Sequence, residues 1–537
     1  MPHMARRATE RRRGRALGAA LLASALPAAA LAQAPLPSSA GVPGVPGTPG
    51  ATPIGVGANP EGRRLVVEPG VRVRVDASTN PDLQPDATAK SGTLLEVTPF
   101  VTATLNSPRG VASLAYGLRG LLRDGGTNPR DEIRHDLRAW GDVRITDDSV
   151  RLLARANVFD ISASPFGSGS FDPAIQTTNR TQYRDFELSP YAFGRFDGEG
   201  RWTARYSLRH IDPGSSIPSN LINEVSGFAR SDLVRRRFGF SLSGNASSVD
   251  YQNGLDYDGG AIDLLGWYRV DPRLRVGAGM GYSWNSALAT SNGDTSGFGA
   301  TASVEWTPDP RTYAIARWSD RYYGNSIDVR ASHRAANWTF GLVANQGLTD
   351  GNRSGLYGLN TAGLFNAGAP LGQAAGTASN PVAQSLSNQG LLPSAGASYG
   401  SGAIQSPLVY NESLVASVGW SSVRNSLLGT LFVNNRRTAV AFAGGTSQDI
   451  DQWGGSLGWT HRLTERNAIS TTVRFTRSDD NLTGAESDLS GLWASFDRRI
   501  TPRSVASLGG RVQRQRGNAV AVTYDEAAVF ATVDYRF

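Results

Sequence analysis

The sequence predicts an all-β protein, a transmembrane antiparallel β-barrel of about 22 strands, within a range of roughly 20 to 24. Three observations predict it. Short segments with apolar residues at every second position recur from about residue 63 to the end. Tight turns and longer polar connections alternate between them. The last segment places Val529, Ala531, Val533, Tyr535 and Phe537 on one face and Thr532, Asp534 and Arg536 on the other, the pattern of a closing barrel strand with an aromatic end. After residue 32 no stretch approaches the ~18 to 20 uninterrupted apolar residues of a spanning helix. A barrel needs none, because only alternate side chains face lipid.

Taken in order, residues 1–32 read as a secretory signal. Arg6, Arg7, Arg11, Arg12, Arg13 and Arg15 form the basic start, Ala16 to Leu26 the apolar middle, and Ala30-Leu31-Ala32 the cleavage site, with cleavage expected after Ala32. Six arginines and one glutamate leave with it, so the formal charge falls from +7 to +2. The basic pI therefore gives no reason to expect a nucleic-acid partner. Cysteine is absent, which excludes disulfides and thiol chemistry.

Residues 33–62 form a Pro/Gly-rich periplasmic tether, including the run from Gly41 to Gly50. The segment is too short for the folded plug that a TonB-dependent transporter requires. The barrel is expected over 63–537. Leu95, Val97, Val101, Ala103 and Leu105 make one apolar face, and Ala112, Leu114, Tyr116, Leu118 and Leu122 the next, after a turn at Asn106 to Gly110. Asp271-Pro272-Arg273, Asp309-Pro310-Arg311, Thr464-Glu465-Arg466 and Thr501-Pro502-Arg503 mark later tight turns.

Longer connections are expected near 77–92, 124–131, 162–182, 211–225, 285–296, 347–408, 439–450 and 479–486. Strict alternation of short and long puts the short turns in the periplasm and the long loops outside the cell. An even strand count leaves both ends in the periplasm. A soluble propeller or β-helix is also repetitive, but neither explains unequal loops in alternation. Trp202, Trp267, Trp306, Trp318, Trp338, Trp420, Trp453, Trp459 and Trp493 are expected in interfacial girdles.

The sequence offers little for catalysis, and no catalytic residue, metal ligand or cofactor site is assigned. Gly396-Ala397-Ser398-Tyr399-Gly400 has the nucleophile-elbow spacing but lies in a Gly/Ser/Ala-rich loop and not at a strand-to-helix turn. His135, His210, His333 and His461 fall in different strands, none at metal-ligand spacing. Asp147-Asp148 and Asp479-Asp480 read as solvated turn residues. In Gly277-Ala278-Gly279-Met280-Gly281 the glycines share one strand face and no helix follows, so they are expected to leave room for neighbouring side chains, not to bind phosphate.

One constellation concerns the face opposite the lipid stripe. Arg72, Arg74, Arg134, Arg138, Arg151, Arg155, Arg201, Arg205 and Arg209 alternate with apolar residues and should point into the lumen, with Asp136, Asp142, Asp185 and Glu187 on the same side. Either the charges pair across strands and keep the wall hydrated, or they bias the lumen toward anions such as acidic polysaccharide.

The hairpin from Val97-Thr98-Pro99 to Leu118, with Ser164-Pro165-Phe166-Gly167, Asn179-Arg180-Thr181-Gln182 and Ser189-Pro190-Tyr191, resembles a family of outer-membrane β-barrel proteins associated with the PEP-CTERM exosortase system and extracellular polysaccharide loci. The resemblance spans residues 65–270. It implies an exported barrel accompanying exopolysaccharide and surface-protein sorting, with no reaction attached. The expected role is a non-enzymatic channel, accessory to exopolysaccharide export or a passive porin. The alternatives are a structural or adhesive barrel with a plugged lumen, and a barrel hydrolase. Expected partners are outer-membrane lipids, the barrel-assembly machinery, which would read Val533, Tyr535 and Phe537, and anionic polysaccharide. The 347–408 loop is the expected constriction.

Overall fold

Along the first strand the usual burial pattern is inverted. Val73 and Val75 are 38% and 51% exposed, while Arg74 and Asp76 beside them are 4% and 1% exposed. The last strand repeats this: Val529 is 62% exposed and Glu526 is 2%. Apolar side chains out and charged side chains in is stable only where the outer solvent is hydrocarbon. There, every backbone polar group needs an internal partner.

A computed structural model satisfies that demand by closing the sheet on itself, as an antiparallel barrel of 22 strands. It describes residues 65–537, apart from 108, 127–131, 147–148, 173, 176, 197–199, 215–217, 232–235, 290–292, 351–407, 442–446 and 519–521. The expected signal and tether lie outside the described residues. So do Gly396 to Gly400 and nearly all of the 347–408 loop.

The strands follow one another around the wall. The first six are β1 (Leu65–Ser78), β2 (Gly92–Ser107), β3 (Gly110–Gly125), β4 (Glu132–Thr146), β5 (Val150–Ser162) and β6 (Arg180–Phe196). Then come β7 (Gly200–Asp212), β8 (Asn220–Ser231), β9 (Phe238–Tyr251), β10 (Asp256–Arg269), β11 (Leu274–Asn285) and β12 (Ser296–Asp309). β13 (Thr312–Arg321), β14 (Gly324–Arg334), β15 (Trp338–Asp350), β16 (Leu408–Ser421) and β17 (Asn425–Val440) continue it. β18 (Asp449–Arg462), β19 (Asn467–Asp480), β20 (Glu486–Thr501), β21 (Ser504–Gly517) and β22 (Tyr524–Arg536) complete the circuit. Each strand pairs with its sequence neighbours, and β1 pairs with β22 from Gly70 opposite Arg536 to Ser78 opposite Ala528. The Phe537 amide donates to the Pro69 carbonyl at 2.9 Å, extending that seam.

The predicted connections sit between strands within about four residues of their expected bounds, except that 211–225 ends six residues late, since β8 already begins at Asn220. The Asp-Pro-Arg turn at 271–273 works as its chemistry requires: Asp271 Oδ1 accepts from the amides of Arg273 and Leu274, at 2.6 and 2.9 Å. Strict alternation of short and long connections fails. The outer-side connections after β9 and β13 are as tight as the inner-side turns, and Gly254, at φ 81°, closes the first of them. No expected long loop falls at these two positions. The tryptophan assignment also needs correction. Trp202, Trp306, Trp318, Trp338, Trp453 and Trp459 are exposed on the barrel surface, but Trp267 and Trp493 are buried. Trp267 shares the inward side of β10 with Asp263 and donates to Ser241 Oγ at 2.7 Å, a bond that places its polar edge inside.

Candidate functional site in the barrel lumen

All nine predicted arginines lie on strands at inward register, and carboxylates meet most of them. Arg72 meets Asp534 at 2.6 Å, Arg151 meets Asp142 at 2.8 Å and Arg209 meets Asp185 at 2.7 Å. Arg155 and Arg205 share Glu187, Arg138 approaches Asp136 at 3.7 Å, and Arg134 meets Glu132 and Asp160. Arg201 sits across from Arg230 on β8. The four carboxylates picked out from sequence are thus all used, each by an arginine of the same or a nearby strand.

Arg74 does something different, because its partner comes from a loop. The connection 163–179 between β5 and β6 folds inward and docks on the wall formed by β20, β21, β22, β1, β2 and β3. Its neck is fastened by Asn179, which donates to the Ser164 carbonyl and accepts from the Ser164 amide, both at 2.8 Å. At its tip Asp172, fully buried, accepts from Arg74 at 2.6 and 3.1 Å and from Arg511 at 2.8 Å. Arg74 and Arg511 also bind Asp76, and Arg511 binds Glu526. Burial alone would raise the Asp172 pKa, but the Arg74 and Arg511 charges outweigh it and hold the carboxyl well below the usual range.

Apolar residues reinforce this latch. Ile175 packs with Leu83 and Tyr524, Ala174 with Leu94 and Leu121, and Phe171 meets Trp493 edge-on at 5.7 Å. Leu83, in the loop before β2, has φ 50° and no exposed surface, a left-handed conformation that costs roughly 1 to 3 kcal/mol and persists because its surroundings fix it. Ser168 Oγ donates to the Leu83 carbonyl at 3.1 Å, so the two loops brace each other. Sequence reading missed this site. The available signal was Phe171, Ala174 and Ile175 inside an otherwise Gly/Ser-rich connection, apolar residues that an external loop has no reason to carry.

A second feature sits about half the circumference away. Between β8 and β16 lies a cavity of about 380 Å³, half of whose lining residues are Ser, Asn or Gly, with Asp263, Arg317 and Arg321 among the charged ones. Asp263 on β10 reaches over β11 and β12 to β13, where Arg317 and Arg321 each bind it at 2.8 Å. Thr301 Oγ1 donates to it at 3.0 Å on the way. The bridge passes above Gly281, where a Cβ would strike the Asp263 carboxylate, and a Cβ at Gly277 would crowd the Trp267 ring. The glycine run does leave room for neighbouring side chains, as expected.

Toward the outer ends of the strands, Phe159, Ile161, Tyr183, Ile211, Ile222, Val249, Tyr251 and Tyr257 form an apolar seam that includes Leu408 of β16. Elsewhere His135, His333 and His461 bond Tyr116, Thr312 and Asn425 through Nδ1. Among the described residues no cluster of three or more His, Asp or Glu is placed to hold a metal ion.

No family model and no curated protein matches the chain. Among solved structures it is similar to the siderophore receptor PirA from Pseudomonas aeruginosa, at 9% identity over 88% of this chain and 80% of that one, with a TM-score of 0.41. PirA from Acinetobacter baumannii matches at 8% identity over 88% and 81%, with a TM-score of 0.45. The copper transporter OprC matches at 10% identity over 88% and 81%, with a TM-score of 0.37.

Proposed function

We propose that this chain is an outer-membrane channel for small polar solutes, non-enzymatic, whose lumen is narrowed by its own loop 163–179. The observation that carries the reading is Asp172, a loop carboxylate buried against Arg74 and Arg511 of the wall. A loop held inward by its own ion pairs narrows a barrel that 22 strands would otherwise leave wide. The constriction expected of 347–408 falls almost wholly outside the described residues, and the narrowing proposed for 163–179 stands on the Asp172 contacts alone.

Export of exopolysaccharide, implied by the resemblance in residues 65–270, is the finer version of this reading. The hydroxyl- and amide-rich wall supports it. Anion bias has less support: arginines already paired with carboxylates supply hydration to the wall more than free positive potential. The outward row of Val533, Tyr535 and Phe537 supports recognition by the barrel-assembly machinery and a boundary with outer-membrane lipid. A signal cleaved after Ala32 would deliver the chain there, and N-terminal sequencing of the membrane-extracted protein tests that site.

Planar bilayers test the channel. The purified barrel is expected to give discrete current steps with weak ion selectivity. A strong anion preference would restore the acidic-polysaccharide reading. An intact barrel that stays closed even when the latch is broken would end the channel reading. It would favour the structural or adhesive barrel, for which the apolar seam around Tyr251 and Leu408 is the supporting observation.

A further inference from the structure

We infer that the inner rim of the barrel, along the arc from β16 to β22, binds the headgroups of anionic phospholipids in the leaflet that surrounds it; this rests on the membrane placement given above and not on conduction. The rim is built from a repeated juxtaposition. At the inner ends of the β17–β18, β19–β20 and β21–β22 ladders, the amides of Arg462, Arg499 and Arg536 donate to the carbonyls of Arg424, Arg466 and Arg503 at 2.7 to 2.8 Å. Each contact carries the register one step past Asn425 opposite His461, Asn467 opposite Arg498 and Ser504 opposite Tyr535, so arginine stands opposite arginine three times. The β9–β10 and β13–β14 ladders repeat the arrangement with Arg237 and Arg269, and with Arg311 and Arg334. Like charges directly opposite each other destabilise a sheet, and a bound anion relieves them.

The described residues supply little of that relief. Among them no carboxylate pairs with Arg424, Arg462, Arg466, Arg499 or Arg503, and Arg536 has Glu68 at 3.3 Å. Two residues further in along the same strands, Asp534 is engaged by Arg72 at 2.6 Å, and Asp497 accepts from Ser470 and Ser495. The outer ends of this arc are different: Arg437 meets Glu412, Arg477 meets Asp479 and Glu486, and Arg514 and Arg516 share Asp525. Open positive charge therefore gathers at the inner end. Its depth selects lipid. Trp459, Phe496 and Tyr535 project outward, 39 to 40% exposed, within three residues of the pairs, and Arg498 follows Phe496 on the same outward side. Outward aromatics of this kind mark the headgroup level. At roughly 3.3 Å per residue the arginines lie just beyond it, within reach of phosphate. A soluble acidic partner would have no use for the aromatic row. Guanidinium groups bind phosphate oxygens in bidentate fashion, and two side by side favour a phosphate with net charge over one balanced by its own choline.

The test folds the full chain into phosphatidylcholine vesicles and adds brominated phosphatidylglycerol or brominated phosphatidylcholine. Quenching of tryptophan fluorescence, to which Trp459 on this arc contributes, reports the lipid at the barrel surface. Phosphatidylglycerol is expected to bind at least about tenfold more tightly. Arg424→Gln, Arg466→Gln and Arg503→Gln combined, one from each opposed pair, should remove most of that preference. Arg184→Gln, Arg514→Gln and Arg516→Gln combined make the same change of charge at the outer rim and should keep it. Equal binding of the two lipids, or equal loss of preference in both triple variants, would overturn the site. Should the inner-rim triple fail to fold, salt decides on the native chain: raising it from about 0.1 to about 1 M shortens the screening length from roughly 10 to 3 Å and should weaken the preference, and an unchanged preference would overturn it. Loss of the preference on adding inorganic phosphate at constant ionic strength would reassign the arginines to the free ion. A glutamate-rich peptide that displaces phosphatidylglycerol from the native barrel would reassign them to an acidic protein. Either result overturns the lipid site.

Discussion

The substitution Asp172→Asn tests whether loop 163–179 is held by charge. In the native chain the Asp172 carboxylate takes three hydrogen bonds from two arginines and also accepts the Ala174 amide at 2.9 Å. Asparagine keeps an acceptor for one arginine and for the amide but removes the charge that both guanidinium groups face. Breaking a buried ion pair by altering one partner typically costs about 3 to 5 kcal/mol. Here Arg74 retains Asp76, and Arg511 retains Asp76 and Glu526, which places the cost near the lower end, about 3 kcal/mol, or roughly 100-fold in the ratio of docked to released loop. The chain has no cysteine, so Ala174→Cys supplies a unique thiol at a position 1% exposed between Leu94 and Leu121. When loop opening is faster than labelling, the rate of thiol alkylation follows the released population. It should rise by about two orders of magnitude in the Asp172→Asn background, with larger current steps in bilayers. An unchanged labelling rate would refute the ion-pair latch and leave the apolar packing of Phe171 and Ile175 as the holding force.

The same carboxylate fixes a pH window. Its docked pKa is depressed, so its contribution to docking is fully present above the released-loop value of about 3.9 and fades only as pH falls through the lower docked value. The labelling rate, divided by that of an exposed model thiol at the same pH to remove the titration of the thiol itself, should therefore be flat from about pH 5 to pH 8 and rise only in stronger acid. A rise of that ratio near neutrality would mean that another group controls the loop.

Three further expectations concern the wall. Gly279→Ala directs a Cβ at the Leu264 carbonyl, backbone that cannot move without disturbing the β10–β11 ladder, and should cost about 1 to 3 kcal/mol in urea titrations of the vesicle-folded barrel. Gly120→Ala meets only the Val97 carbonyl at 3.5 Å and should be nearly neutral; equal effects would show the glycines are not there for space. Leu264→Arg, on the outer face near the middle of β10, should lose about 2 to 4 kcal/mol, and a neutral result would argue that this face does not meet lipid. Joint replacement of Tyr535 and Phe537 by alanine should lower the yield of membrane-inserted barrel, and full yield would remove their assembly role.

Much of this architecture was legible because a barrel strand carries its signal in period two. The inward positions of Arg74, Arg151 and Arg209 and the outward positions of Val529 and Val533 follow from alternation alone. Turn chemistry was equally local: the Asp271 carboxylate closes its own hairpin within three residues. What the sequence hid was long-range. Asp172 reaches Arg511 across 339 positions, and no periodicity connects a loop to a wall that distant. Trp493 and Trp267 looked like girdle residues because tryptophan favours interfaces. Their strand parity, which sets each beside an inward polar position, was the better guide.

Because β1 and β21 carry the latch while β10 and β13 carry the charged bridge, at least seven strands of the wall separate the two on either path round the barrel. Neither residue shares a partner with the other: Asp172 is bound by Arg74 and Arg511, and Arg321 by Asp263. Sites without shared partners combine additively to within about 0.3 to 0.5 kcal/mol. In the Ala174→Cys background, the double variant Asp172→Asn with Arg321→Met should therefore show the same rise in thiol labelling as Asp172→Asn alone. Should the double variant label no faster than Arg321→Met alone, the latch and the Asp263 bridge would be one coupled device.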